Sequence, residues 1–423
     1  MVLLAALLYF QDLQNEEEET LKKRIGSLLL AAVMVLALLA GCATAPAASS
    51  APADSQGDVS SDSSAQEPAG FTGQIKIGVV APISGSAAMV GDTQIKGIEL
   101  AAKQINAAGG VNGKEIVLIK EDDQQDPKTA VSAVNKLVSA DQVTAIIGTV
   151  NSSCTLAMMD VTERAGVPLI TPISSGIKVT DPSNSFIARL QASDIQQAKA
   201  ITEYLVKDLA LTKVAVIYQS DDYGTGGRDV ALQVLKDNGL EAVAVEAFDP
   251  AATDMNSQLL KIKEAGAEAL IMWTMYTPAA NIARQAKQLG MDELLLVGGG
   301  GLTNAKLYEL AAEAAIGICN TQTFFPDKTL ASPTAAAFIE AYEAEYGVMP
   351  DSNAAMSYDS MMVMAQGLAA SPNLVNTEIM AGIKAVKDFA LATGNITIDE
   401  NGDANRAILI IRLTEGGKYE KVK

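Results

Sequence analysis

Ser152, Ser153 and Cys154 stand together just after one apolar segment, and Pro172-Ile173-Ser174-Ser175 closes the next. Hydroxyl and thiol groups so placed can attack an electrophile or hold a ligand through hydrogen bonds. Attack needs a base, and histidine is the usual one near neutral pH. The chain has 423 residues and no histidine. A nucleophile paired with an imidazole is therefore excluded, no metal or cofactor is expected, and no Ser-Lys or carboxylate motif stands out to make an extracellular hydrolase more than a minor alternative. Binding remains. Ser152, Ser153 and Thr155 lie between a strand over 143–147 and a helix over 155–165, where hydroxyls and free backbone N–H groups can grip a carboxylate. The same residues also suit ordinary N-capping of that helix.

The elements that must position these groups alternate. Short β-branched runs at 75–80, 115–121, 143–147 and 168–171 read as strands, and stretches at 91–108, 127–139 and 155–165 as helices. A second set follows, with strands over 213–218, 241–248, 269–273 and 294–297 and helices over 227–238, 255–265 and 278–289. This alternation predicts parallel sheets with crossover helices, an α/β chain of two Rossmann-like, doubly wound lobes. Late helices at 336–346 and 357–369 and a strand at 408–413 follow two halves that already look complete, so the chain is expected to cross between lobes. Crossings are placed near 191–194, 324–328 and 389–394, with lobe 1 formed by 73–192 plus 328–390 and lobe 2 by 193–327 plus 391–423. Asp126-Pro127 starts a helix and Asn112-Gly113 makes a turn.

Upstream, the apolar run 28–40 follows Lys22, Lys23 and Arg24 and ends at Leu39-Ala40-Gly41-Cys42. That order is expected of a lipoprotein export signal over 1–41, with Cys42 as the acylated anchor, because thirteen apolar residues are too few to span a bilayer, which takes roughly 20. Residues 1–20 are apolar and then acidic, an arrangement foreign to such a signal, and read as a spurious extension before the true start. From Cys42 to residue 72 the composition of Ala, Ser, Pro, Asp and Gly predicts a flexible tether. The protein is thus placed on the outer face of the cytoplasmic membrane. A formal charge of −19 argues against nucleic acid as a partner. Cys154 and Cys319 are expected to be buried thiols and not a disulfide.

The blocks "IKIGVVAPISGSAAMVGD", "GIELAAKQINAAGGVNGKEIVLIKEDDQQDP", "IIGTVNSSCT", "GVPLITPISS" and "VIYQSDDYGTGG" occur in the order seen in leucine/isoleucine/valine-binding proteins. Beyond the tether the chain resembles that family throughout. The resemblance implies the type I periplasmic binding fold, two lobes joined by three strands. They would close on a small ligand, an amino acid of branched-chain or related type, for delivery to an ABC permease and ATPase complex. It also implies that the Ile173 carbonyl and the Ser175 hydroxyl, in the Pro172–Ser175 turn that includes Ser174, accept from the ligand's ammonium. Tyr223 would pack on the ligand, and Tyr276, or Met275 if the alignment slips by one, would form a similar wall. Two positions depart from the family pattern. Gly300 stands where the leucine-binding members carry an acid, so Asp221 or Asp222 must replace it or the ligand is held differently, and Val90 replaces an aromatic wall. A sensory receptor that presents the closed form to a signalling partner is the alternative function.

Overall fold

A computed structural model describes residues 71–180, 183–304, 306–328 and 331–423. The export signal, Cys42 and almost all of the tether lie outside the described residues. Within them, lobe 1 begins with β1 (Gln74–Ala81), α1 (Ala88–Ala107), β2 (Glu115–Asp122), α2 (Pro127–Ser139), β3 (Ala145–Gly148), α3 (Ser152–Ala165), β4 (Leu169–Thr171) and β5 (Ile187–Arg189). Lobe 2 contributes α4 (Asp194–Glu203), β6 (Val214–Gln219), α5 (Asp222–Asp237), β7 (Ala244–Phe248), α6 (Asn256–Glu264), β8 (Ala269–Trp273), α7 (Tyr276–Gln288), β9 (Leu295–Gly298), α8 (Lys306–Ala311) and β10 (Cys319–Gln322). The chain then returns to lobe 1 as α9 (Pro333–Tyr346), α10 (Ser352–Ala369), α11 (Asn376–Lys384) and the hairpin β11 (Phe389–Leu391) and β12 (Gly394–Ile396). It ends in lobe 2 with β13 (Leu409–Leu413) and β14 (Tyr419–Lys421).

Lobe 1 is a parallel sheet of order β2-β1-β3-β4-β5, and lobe 2 a sheet of order β14-β13-β10-β9-β8-β6-β7 in which only β13 and β14 run antiparallel to their neighbours. Near-continuous apolar runs suit strands covered on both faces. Ile77, Val79 and Ile147 on one face of the first sheet pack under α1 and α10, while Val80, Ile146 and Leu169 on the other meet α2 and α3. Lobe 2 repeats the sandwich, with Val216, Ile271 and Trp273 toward α4 and α5 and Ile217, Leu270 and Met272 toward α6 and α7. Backbone contact between α1 and α10 depends on Gly97, since a Cβ there would stand 2.2 Å from the Ala354 carbonyl oxygen.

Several elements start earlier than their sequence suggests. The glycines at 224, 226 and 227 disfavour a helix before residue 227, yet α5 begins at Asp222. The Asp221 carboxylate accepts from Gly224 N–H at 2.9 Å and caps it. Gly227 is required by packing, because a Cβ would fall 2.0 Å from the Trp273 ring. Likewise Asp351 caps α10 at Ser352 through Ala354 N–H, five residues before the predicted start at 357.

The lobes are joined at 190–193, directly after Gln322, and at 405–408. The third connection differs from the expected 389–394, and the lobe boundary moves with it. Leu391, Ile396, Ile398 and Ala404 are buried in the core of lobe 1, and residue 404 still pairs with β5, the Ala404 N–H donating to the Arg189 carbonyl at 3.0 Å. Residues 391–404 therefore belong to lobe 1. Two buried arginines clamp this hinge: Arg189 pairs with Asp403 at 2.7 Å, and Arg406 donates to the Leu190 carbonyl at 2.8 Å while facing Asp359.

Candidate functional site

In doubly wound sheets the crevice opens beyond the strand C-termini where the strand order reverses. Here those points are between β1 and β3 and between β6 and β8, and the two crevices face each other across the hinge. A small cavity lies between them, lined from lobe 1 by Val90, Val150, Asn151, Ile173, Ser175 and Asn353 and from lobe 2 by Gln197, Tyr223, Met275, Gly300, Gly301 and Thr303, with Gln191 at the first crossing. Its apolar part is continuous with a core, since Val90, Val150 and Ile173 pack with Leu302 and Tyr276 of lobe 2.

Ile173, Ser175, Tyr223 and Gly300 are thus brought together, as is Val90, but four other expected contacts are not. The Ser152 hydroxyl turns under the Pro172–Ser175 turn and accepts from Gly176 N–H at 3.0 Å. Ser153 reaches across the cleft, its hydroxyl donating to Asp222 at 3.0 Å. Neither hydroxyl lines the cavity; the turn before them does, through Val150 and Asn151. Asn151 is the N-cap of α3, its side chain accepting from Ser153 N–H at 2.9 Å. Ser174 faces inward, bonded to Thr155 at 2.6 Å and donating to the Val150 carbonyl at 3.1 Å, and so holds the two loops in register instead of meeting a ligand. Tyr276 begins α7 and donates across the cleft to the Ser86 carbonyl at 2.9 Å. Met275, the residue before it, forms the wall.

Gly300 is held by its backbone. Its N–H donates to Gln197 Oε1 at 2.8 Å, which also accepts from Thr321 at 2.9 Å, while Gln197 Nε2 donates to the Ala192 carbonyl at 2.7 Å. Gly301 matters sterically: a Cβ would stand 2.5 Å from the Tyr223 hydroxyl. Neither acid proposed to replace the missing carboxylate faces the cavity. Asp221 is occupied as the α5 cap and by Gln219 at 2.7 Å, and Asp222 by Ser153.

The carboxylate that does stand behind the lining is Asp194, which sequence reasoning passed over. It is fully buried at the first crossing, with the Ser175 hydroxyl, the Trp273 indole and the Arg189 guanidinium beside it. The Tyr223 hydroxyl is buried between Asp194 and the Gly301 backbone. Burial lifts the Asp194 carboxyl to about 7, against the pull of Ser175 and Arg189. Burial likewise raises Tyr223 well above its ordinary value. The one available signal was position, since Asp194 closes the first predicted crossing. The cleft so presents a helix N-terminus in its wall, and the buried acid stands behind Ser175, outside the lining.

A family model described as a periplasmic binding protein matches residues 74–418. The chain belongs to the periplasmic binding protein family. Among its relatives, the Leu/Ile/Val-binding protein homolog 3 of Brucella melitensis is 30% identical over 81% of this chain and 92% of that protein. An amino acid binding protein of Pseudomonas aeruginosa is 34% identical over 69% and 77%. Among solved structures, the leucine-binding protein LivK of Thermotoga maritima superposes with a TM-score of 0.78 at 28% identity, over 82% of this chain and 98% of that one. The branched-chain amino acid transporter substrate-binding protein LivJ of Streptococcus pneumoniae, in complex with isoleucine, gives 0.76 at 31%, over 83% and 99%. As a periplasmic binding protein the chain captures a solute outside the cytoplasm and does not transform it.

Among the described residues no cluster of three or more His, Cys, Asp or Glu side chains could hold a metal ion, and no helix is long and apolar enough to cross a membrane. Cys154 and Cys319 are buried free thiols. In a periplasmic binding protein the contacts between lobes count toward closure. Here these include Ser153–Asp222, Tyr276–Ser86 and Asn151–Asp221, the last at 3.3 Å.

Proposed function

We propose that this periplasmic binding protein captures an amino acid between its lobes and delivers it to an ABC permease and ATPase, anchored to the membrane through an acylated Cys42. The observation that carries the reading is one cavity between the lobes, with the α3 N-terminal turn in its wall and the buried Asp194 behind Ser175. A zwitterion answers both at once. Its carboxylate meets the Val150–Asn151 turn, where backbone dipoles favour an anion. Its ammonium lies against the Ile173 carbonyl and the Ser175 hydroxyl, with Asp194 behind supplying the charge that Gly300 lacks. Val90, Met275 and Tyr223 enclose the side chain. The relatives named for leucine, isoleucine and valine support a small apolar amino acid as the first candidate.

Both lobes touch the ligand only when closed, so ligand binding shifts the protein toward the closed form. Trp273, the single tryptophan, packs against Tyr223 with ring centroids 6.1 Å apart and reports the cleft by its fluorescence. Titration with leucine, isoleucine, valine and a wider amino-acid panel should change that emission. A ligand at about 100 times its Kd should stabilise the fold by about 2.7 kcal/mol. Ser175→Ala should weaken binding by about 1 kcal/mol or more. No emission change and no stabilisation by any amino acid would refute the reading.

A further inference from the structure

The cleft does not end at the inner cavity. Beyond Asn151 and Met275, which line both spaces, it opens into a hollow with about 330 Å³ of room for the centre of a water-sized sphere, compared with about 20 Å³ inside. Ser86, Gln124 and Gln125 face it from lobe 1, and Asp221, Ala251 and Thr277 from lobe 2. Val90 lines the inner cavity while Ser86 and Ala87, just before it in the chain, line the outer hollow. Asn151 and the flexible thioether of Met275 therefore stand where the two spaces meet.

The chemistry of the hollow is selective. The backbone N–H groups of Gln124 and Gln125 are pinned by the Asp122 and Asp123 carboxylates at 2.9 and 3.0 Å, which fixes the backbone from which both carboxamides reach the rim. Gln125 Oε1 accepts from Ser86 at 3.0 Å, leaving its amide N–H groups to donate, and the Gln124 side chain has no partner among the described residues. Asp221 has its oxygens filled by Gly224, Gln219 and Asn151. No lysine or arginine lines the space. An uncharged or cationic hydrogen-bonding group is welcome there, whereas a carboxylate or phosphate would lose its hydration beside Asp221 with no cation to replace it.

We propose that this hollow is a second subsite, which takes the far end of an amino acid whose side chain is longer than leucine's and ends in an uncharged or cationic hydrogen-bonding group. This inference rests on the amino-acid reading of the inner cavity. The ligand's α-groups remain there, and its chain passes between Val90 and Met275.

The test is calorimetric titration of residues 43–423, which contain every described element, with L-leucine, L-citrulline, L-arginine and L-glutamate. Citrulline or arginine should bind at least about tenfold more tightly than glutamate, a difference of about 1.4 kcal/mol. Ala251 is exposed, so filling the hollow from that position spares the core. Ala251→Trp should weaken the extended probe by about tenfold or more and leave leucine within about threefold, and Ala251→Lys should strengthen glutamate by about tenfold. Leucine binding with neither citrulline nor arginine binding would overturn the subsite, as would equal losses for leucine and the extended probe in Ala251→Trp. Failure of all four probes to bind would instead overturn the amino-acid reading, and the subsite with it.

Discussion

Replacing Asp194 with Asn should make the unliganded protein more stable at pH 8 and, at the same pH, a poorer binder. The Asp194 carboxyl stands at about 7 in the fold against an ordinary 3.8, chiefly because burial disfavours its charge. The folded state thus holds this proton more tightly than the unfolded chain does. As pH rises from about 4 to about 7 the unfolded chain ionises freely, so stability falls through that window, and above about 7 the whole penalty is in place. A lift from 3.8 to about 7, at about 1.36 kcal/mol per pH unit, sets an upper bound on the order of 4 kcal/mol. Asn carries no charge and should recover part of it at pH 8 and almost none at pH 4.

Binding should move the other way. An ammonium in the cleft favours the ionised acid, so wild-type affinity should drop by about tenfold from pH 8 to pH 6, whereas the Asn variant should be nearly flat. Urea unfolding at pH 4.5 and 8 measures the first effect, and calorimetric titration at pH 6, 7 and 8 the second. A variant destabilised equally at both pH values would mean that Asp194 is an ordinary structural acceptor. A flat wild-type affinity profile would refute its pairing with the ligand.

Tyr276→Phe removes the hydroxyl that reaches Ser86 across the cleft; closure should lose about 1 kcal/mol, seen as roughly fivefold weaker binding at unchanged folding stability. Arg189→Met strips a buried guanidinium from Asp403 and from the Ser175 and Gly176 carbonyls. Because it leaves those groups unmatched, it should cost about 3–5 kcal/mol in urea unfolding. Gly301→Ala forces a methyl against the Tyr223 hydroxyl and should reduce affinity by more than tenfold, about 1.4 kcal/mol, checked by calorimetry. Cys42→Ala should release the protein from membranes into the soluble fraction, and retention on washed membranes would argue against acylation.

The lobes were legible because their elements are written locally. Apolar runs such as 75–80 and 269–273 can only be strands buried on both faces, and the Asp126-Pro127 pair marks a helix start whatever lies around it. The absence of histidine likewise removed a class of chemistry without reference to any fold. Ile173, Ser175, Tyr223 and Gly300 could be placed because they match positions of the family that the chain resembles. What sequence could not say is where a side chain turns after reaching the sheet edge. Ser152 and Ser174 point away because neighbours 24 and 19 residues away in sequence, Gly176 and Thr155, claim their hydroxyls. Tyr276 and Met275 exchange roles because one residue of helix phase decides which of them faces the cavity.

The third crossing and Asp194 were hidden for the same physical reason. The hairpin at Phe389–Leu391 and Gly394–Ile396 stays in lobe 1 because Leu391, Ile396 and Ile398 find their cover in a core built from residues near the start of the fold. Asp194 reads as an ordinary helix-opening residue, and its sequence neighbours carry no sign of burial. Its ionisation is set chiefly by burial, against the pull of Ser175, Arg189 and Trp273, and the tertiary structure decides both. Backbone periodicity therefore determined the class of fold, composition removed a class of chemistry, and the resemblance of ordered blocks to a family implied the kind of function. The electrostatics of the cleft arose only when distant segments excluded water together.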